Sequence, residues 1–138
     1  MLATTIPDAK PGVREAIEQI ARAYSDHDTE VLGEPQGGAW VLVHDLDVGE
    51  RVVPSRSWIG FGIAFQYPYT DVYPHFLVPD LAFADGRPFA PPLNPGQLMP
   101  GFNRSATMLS RRSSNWSPAT DTALLKLQRI LAFLRRDI

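Results

Sequence analysis

Residues 58–65 read Trp58-Ile59-Gly60-Phe61-Gly62-Ile63-Ala64-Phe65, a dense run of β-forming side chains that leads straight into Gln66-Tyr67-Pro68 and on to Tyr73-Pro74. An aromatic and β-branched run of this kind reads as a strand. The prolines after it continue neither a helix nor a central ladder, so the chain turns there. Two candidate strands lie upstream. Residues 39–45 (AWVLVHD) follow Gly37-Gly38, and the shorter run 30–33 precedes them. Residues 51–53 come after a polar turn at 47–50, and residues 80–83 form a further candidate beyond the prolines. Strands in succession, joined by short turns, predict a four-stranded antiparallel meander rather than βαβ units.

Outward from this centre the periodicity changes. Residues 11–24 place Val13, Ile17, Ile20, Ala21 and Tyr24 at three- and four-residue steps, with Pro11 suited to a first helical turn. At the other end, Leu124, Leu127, Leu131 and Leu134 form a second helical stripe, broadened by Leu125, Ile130 and Phe133. Thr120 or Asp121 is the expected cap, and Arg129, Arg135 and Arg136 sit where cations favour the helix dipole. Between the sheet and this last helix, residues 84–114 carry Gly86, Pro88, Pro91, Pro92, Pro95, Gly96, Pro100 and Gly101. That punctuation predicts a long loop without regular elements, and loops of such length in compact domains commonly carry function. The expected fold class is α+β: N-terminal helix, four-stranded antiparallel meander, long proline-rich loop, C-terminal helix.

Composition bounds the function. The 138 residues make one domain, 1–138, with 44% apolar and 20% charged residues, so disorder is excluded. Thirteen Lys and Arg against 15 Asp and Glu leave a formal net charge of −2. No basic excess exists to neutralise phosphates, which argues against nucleic acid as the partner. No apolar run approaches the ~20 residues of a membrane span, and the start, MLATTIPDAKPGVREAI, lacks a signal-peptide pattern, so a cytoplasmic protein is expected. The 13 prolines are about 9% of the chain against a usual ~5%. Cysteine is absent altogether, which removes disulfides, thiolate metal sites and any thiol nucleophile. No cofactor or metal motif appears: Gly60-Phe61-Gly62 sits inside a strand, and neither Asp26-His27-Asp28 nor Asp45 with Asp47 has ligand spacing.

Two motifs in order carry a family resemblance. Phe65-Gln66-Tyr67-Pro68, with Tyr73-Pro74 and Pro79 before residues 80–83, is similar to the Phe-Pro and Tyr-Pro turn that follows the third strand of the ubiquitin-conjugating enzyme (UBC) fold. Trp116-Ser117-Pro118-Ala119, followed by Leu124 to Leu131, resembles that family's Trp-Ser-Pro-Ala opening of its central helix. Ala84-Asp85-Gly86-Arg87 and Leu131-Ala132-Phe133-Leu134-Arg135-Arg136 resemble bacterial UBC-like families found with ubiquitin-like modifiers and activating enzymes. The resemblance runs from about Pro11 to Arg136 and implies a UBC-like domain lacking the last two helices. It implies as partners a ubiquitin-like modifier and a ubiquitin-activating-type enzyme, with no cofactor.

The chemistry departs from that pattern. The family's catalytic cysteine lies eight residues before the tryptophan of Trp-Ser-Pro, and that position here is Met108, followed by Leu109. A thioether has no proton to lose and carries no acyl group. The family's His-Pro-Asn segment is missing, and Asn94 in Leu93-Asn94-Pro95-Gly96 is only a loose stand-in for its oxyanion-stabilising asparagine. Ser105, Thr107 and Ser110 flank Met108 and are the candidate oxyester carriers, but a hydroxyl needs a nearby base. The histidines are His27, His44 and His75, and only His75 is expected near, through the Tyr-Pro turn. Arg104, Arg111 and Arg112 frame the same segment as a candidate basic rim for an acidic tail or partner surface. Three readings follow: a partner-binding member of a conjugation pathway without thioester chemistry, an oxyester transferase, or a protein-binding adaptor with no modifier.

Overall fold

The computed structural model describes residues 8–138; residues 1–7, where the sequence was read for a targeting signal, lie outside them. Helix α1 (Pro11–Ala23) begins with proline in its first turn, as its missing N–H allows. It buries Val13, Ile17 and Ile20 of the expected stripe together with Ala16, while Ala21 and Tyr24 are half-buried. Strands β1 (Thr29–Gly33), β2 (Ala39–Asp47), β4 (Arg56–Ile63) and β5 (His75–Leu77) follow, each antiparallel to its neighbour in that order. Helix α2 (Ala123–Arg136) closes the domain. Its cap is Thr122, whose hydroxyl accepts the Leu125 N–H at 3.0 Å, rather than Thr120 or Asp121. The protein is therefore α+β, with an N-terminal helix, an antiparallel sheet and a C-terminal helix.

The sheet has six strands, not four, in the order β1-β2-β4-β5-β8-β7. The additional pair, β7 (Leu93–Met99) and β8 (Arg104–Leu109), lies inside the segment 84–114 that the prolines and glycines marked as irregular. The reason is positional. β7 is an edge strand, so the N–H that Pro95 lacks is not needed by a further neighbour. Pro95 and Gly96 occupy the register shift between Asn94 and Gln97, while Pro100-Gly101 makes the turn. The last expected strand is also displaced. Of residues 80–83 only β6 (Ala82–Phe83) is a strand, and it pairs with β3 (Val52–Val53) in a separate two-stranded sheet. Its place beside β4 is taken by β5, too short at three residues to show an alternation.

Both helices cover one face of the large sheet. Ile17, Ile20, Leu127, Ile130 and Leu134 pack with Val41, Val43, Ile59, Phe61, Leu77 and Leu109 in one core. Each such side chain contributes about 1.5–3 kcal/mol on full burial. The opposite face holds a smaller cluster of Leu42, Phe76, Met99 and Ala106, flanked by Trp40, Trp58, Phe102 and Met108. The β7–β8 turn folds over this outer face: a Cβ on Gly60 would lie 2.4 Å from the Met99 methyl, and one on Gly101 2.5 Å from the Trp40 ring. Among the described residues no helix is long and apolar enough to cross a membrane.

Candidate functional site

Strand β8 distributes the candidate residues by parity. Thr107 and Leu109 point to the helix-covered core and are fully buried, whereas Ala106 and Met108 belong to the outer cluster. Met108 therefore sits mid-strand, paired with Phe76 of β5 and Asn94 of β7, and packs as an apolar side chain. The Thr107 hydroxyl donates to the Val78 carbonyl at 2.9 Å, which satisfies it in place. Ser105 is exposed and lies opposite Leu98, near the β7–β8 turn. Arg104 shares that end of the strand, its guanidinium 5.4 Å from the Trp58 ring centre. These two are separated from the exit of β8 by about 20 Å of extended chain.

A different group assembles at that exit. The Ser110 N–H donates to the Pro92 carbonyl at 2.9 Å and ties the end of β8 to the start of β7. Asn94, Ser110, Arg111 and Arg112 then line one groove of about 540 Å³ with Pro91, Pro92 and Phe133. A second cleft of about 510 Å³ continues past Arg111, Arg112 and Phe133 between the segment 111–121 and α2. Arg111 lies 4.1 Å above the Phe133 ring and Arg112 4.4 Å above the Tyr73 ring. Neither arginine has a carboxylate partner among the described residues.

Beneath this wall lies a polar clamp. The Lys126 ammonium, 3% exposed, donates to both Asp71 oxygens at 2.9 and 3.0 Å and to the Ser113 hydroxyl at 2.7 Å. Asp71 also accepts the Ser113 N–H at 2.7 Å and its hydroxyl at 2.9 Å. Burial pushes the Asp71 carboxyl up, but these hydrogen bonds and the lysine charge outweigh it and hold the group below the usual carboxylate range. Asp121 is held low by the Ser117 N–H first and then by Arg129. Trp116 Nε1–H donates to the Pro68 carbonyl at 2.7 Å, and the Ala123 N–H donates to the Tyr67 hydroxyl at 3.0 Å. The Tyr67-Pro68 turn and the Trp116-Ser117-Pro118 segment, 48 residues apart, are thus joined directly.

His75 pairs with Leu109 across β5 and β8 and is completely buried, 5.1 Å from the Phe61 ring centre. Neither of its ring nitrogens meets a hydrogen-bond partner among the described residues. Burial first, then the nearby Lys126 charge, lowers its pKa to about 3, so it stays neutral beside the core. His44 pairs with Glu30 across β1 and β2, away from this segment, and His27 Nδ1–H donates to the His44 carbonyl. No group of three His, Cys, Asp or Glu side chains that could hold a metal occurs among the described residues.

Sequence reading singled out Asn94, Ser110, Arg111 and Arg112, which the fold brings together, and Arg104, Ser105 and Thr107, which it holds apart. Asp71, Ser113, Lys126 and the aromatic platforms Tyr73 and Phe133 were missed. One signal was present: Lys126 stands on the apolar face of α2, three residues after Ala123 and four before Ile130. A lysine there needs a buried anion. Comparison of the chain with protein-family models, curated proteins and solved structures finds no match in any of the three.

Proposed function

We propose that this chain is a UBC-like, partner-binding component of a bacterial ubiquitin-like protein conjugation pathway, one that holds the modifier or its activating enzyme and carries no acyl group itself. The observation that carries the reading is the state of the groups around Met108. The aligned position is a thioether inside an apolar cluster, the neighbouring Thr107 hydroxyl is buried and engaged, and His75 has no hydroxyl partner. Among the described residues neither the Ser105 nor the Ser110 hydroxyl is hydrogen-bonded to a basic side chain. The direct joining of the Tyr67-Pro68 and Trp116-Ser117-Pro118 segments supports the resemblance they carry, since residues in contact form a single structural unit. The open groove at Asn94, Ser110, Arg111 and Arg112 supplies a binding surface where catalytic groups are lacking.

Size-exclusion chromatography of the protein mixed with a candidate ubiquitin-like modifier, and separately with a candidate activating enzyme, tests the reading. Co-elution with either is the expected result. Failure to co-elute with both overturns it in favour of an adaptor without a modifier.

A further inference from the structure

Arg111 and Arg112 differ from the other cations of their wall. Arg129 is paired with Asp121 at 2.9 Å, and Lys126 with Asp71. Both Arg111 and Arg112 instead lie over aromatic rings and are exposed. A guanidinium stacked on a ring uses its face and leaves the N–H groups of its edge free for a bidentate carboxylate. Stacking also limits the rotamers it would otherwise lose on binding, so less entropy opposes the contact.

We propose that the surface running from Pro91 and Pro92, past Arg111 and Arg112, to the α2 wall takes an acidic, extended segment of a partner protein, with carboxylates seated on the two arginines. This rests on the partner-binding reading above and names the chemistry of the partner. The groove and the cleft have Arg111, Arg112 and Phe133 in common, so the two adjoin at the arginines. Pro91 and Pro92 offer apolar contact to side chains between the acids. A continuous polyanion fits less well: Asp121 and Asp137, at opposite ends of α2, also line the cleft, and the whole chain carries a formal charge of −2. Carboxylates spaced to meet only the two arginines avoid most of that repulsion.

The test is fluorescence anisotropy with a labelled peptide alternating Glu and Leu, its Gln-for-Glu twin, and a labelled single-stranded oligonucleotide. The Glu peptide is expected to bind, and the Gln twin to bind at least about tenfold more weakly. Arg111→Gln and Arg112→Gln should each weaken the Glu peptide by about tenfold. Arg22→Gln, on the exposed side of α1, should leave it unchanged. The Arg111→Lys, Arg112→Lys double variant keeps the charge and the surroundings but loses the bidentate fork, and should recover only part of the affinity. Absence of Glu-dependent binding, binding indifferent to both arginines, or tighter binding of the oligonucleotide overturns the proposal.

The two levels separate cleanly. If a modifier or activating enzyme co-elutes equally with the wild type and with the Arg111→Gln, Arg112→Gln double variant, the surface assignment falls and the pathway reading stands. If the Glu peptide binds through the arginines and neither candidate co-elutes, the reverse holds.

Discussion

Thr107 and Ser113 are both hydroxyls within a few residues of Met108 in sequence, yet the fold engages them in different ways. Thr107 points into the core and satisfies the Val78 carbonyl, so Thr107→Val should lower stability by about 1–2 kcal/mol in urea unfolding and leave partner binding intact. Loss of binding without loss of stability would contradict that role. Ser113 completes the clamp around Lys126 and Asp71. Asp71→Asn strands a buried ammonium, with an expected cost of about 3–5 kcal/mol. Because the Asp71 carboxyl is held low in the folded state, its contribution is complete above the ordinary carboxylate range near pH 4 and is lost as pH falls through the lowered value. His75 acts in the same direction over a higher window. It stays neutral in the fold down to about pH 3, whereas the unfolded chain takes up a proton near pH 6.5. Acidification from about 6.5 towards 3 therefore favours unfolding. His75→Leu should flatten the fall of melting temperature between pH 7 and pH 4, and an unchanged slope would contradict this. None of these partners was visible from residue type, since sequence shows which side chains can bond but not which 40-residue separations the fold closes.

At the scale of elements, α1 and α2 were legible because each carries a 3.6-residue period, and β2 and β4 because each is a dense β-forming run, while β1 showed only as a short one. The β7–β8 hairpin was not. Its strand β7 contains a proline and a glycine, which read as breakers, and only its position at the sheet edge makes them tolerable. β5 failed for the opposite reason: three residues flanked by Pro74 and Pro79 leave no pattern to count. The hairpin turn depends on Gly101, which has φ +80° and lies against the Trp40 ring. An alanine there meets both backbone strain and a clash, so Gly101→Ala should destabilise the protein by about 1–3 kcal/mol and shift tryptophan fluorescence as the turn lifts from the outer face. An unchanged spectrum would mean that the turn does not cover that face in solution.

At the scale of the whole molecule, the candidate residues spread along β8. Arg104 and Ser105 lie at its start near the β7–β8 turn, Met108 sits in the outer-face cluster, and Asn94, Ser110, Arg111 and Arg112 line the groove at its exit. Met108, in a chain without cysteine, lies within an apolar cluster. The groove beside α2 carries two guanidiniums stacked on aromatic rings, neither paired with a carboxylate among the described residues. The central claim is that this surface binds and does not transfer. Intact-mass spectrometry of the protein after incubation with a candidate activating enzyme, a ubiquitin-like modifier and ATP tests it most directly. The expected spectrum shows the unmodified chain alone; a species heavier by one modifier, stable to thiol reductant, released by mild base and absent from a Ser105→Ala, Ser110→Ala variant would contradict it.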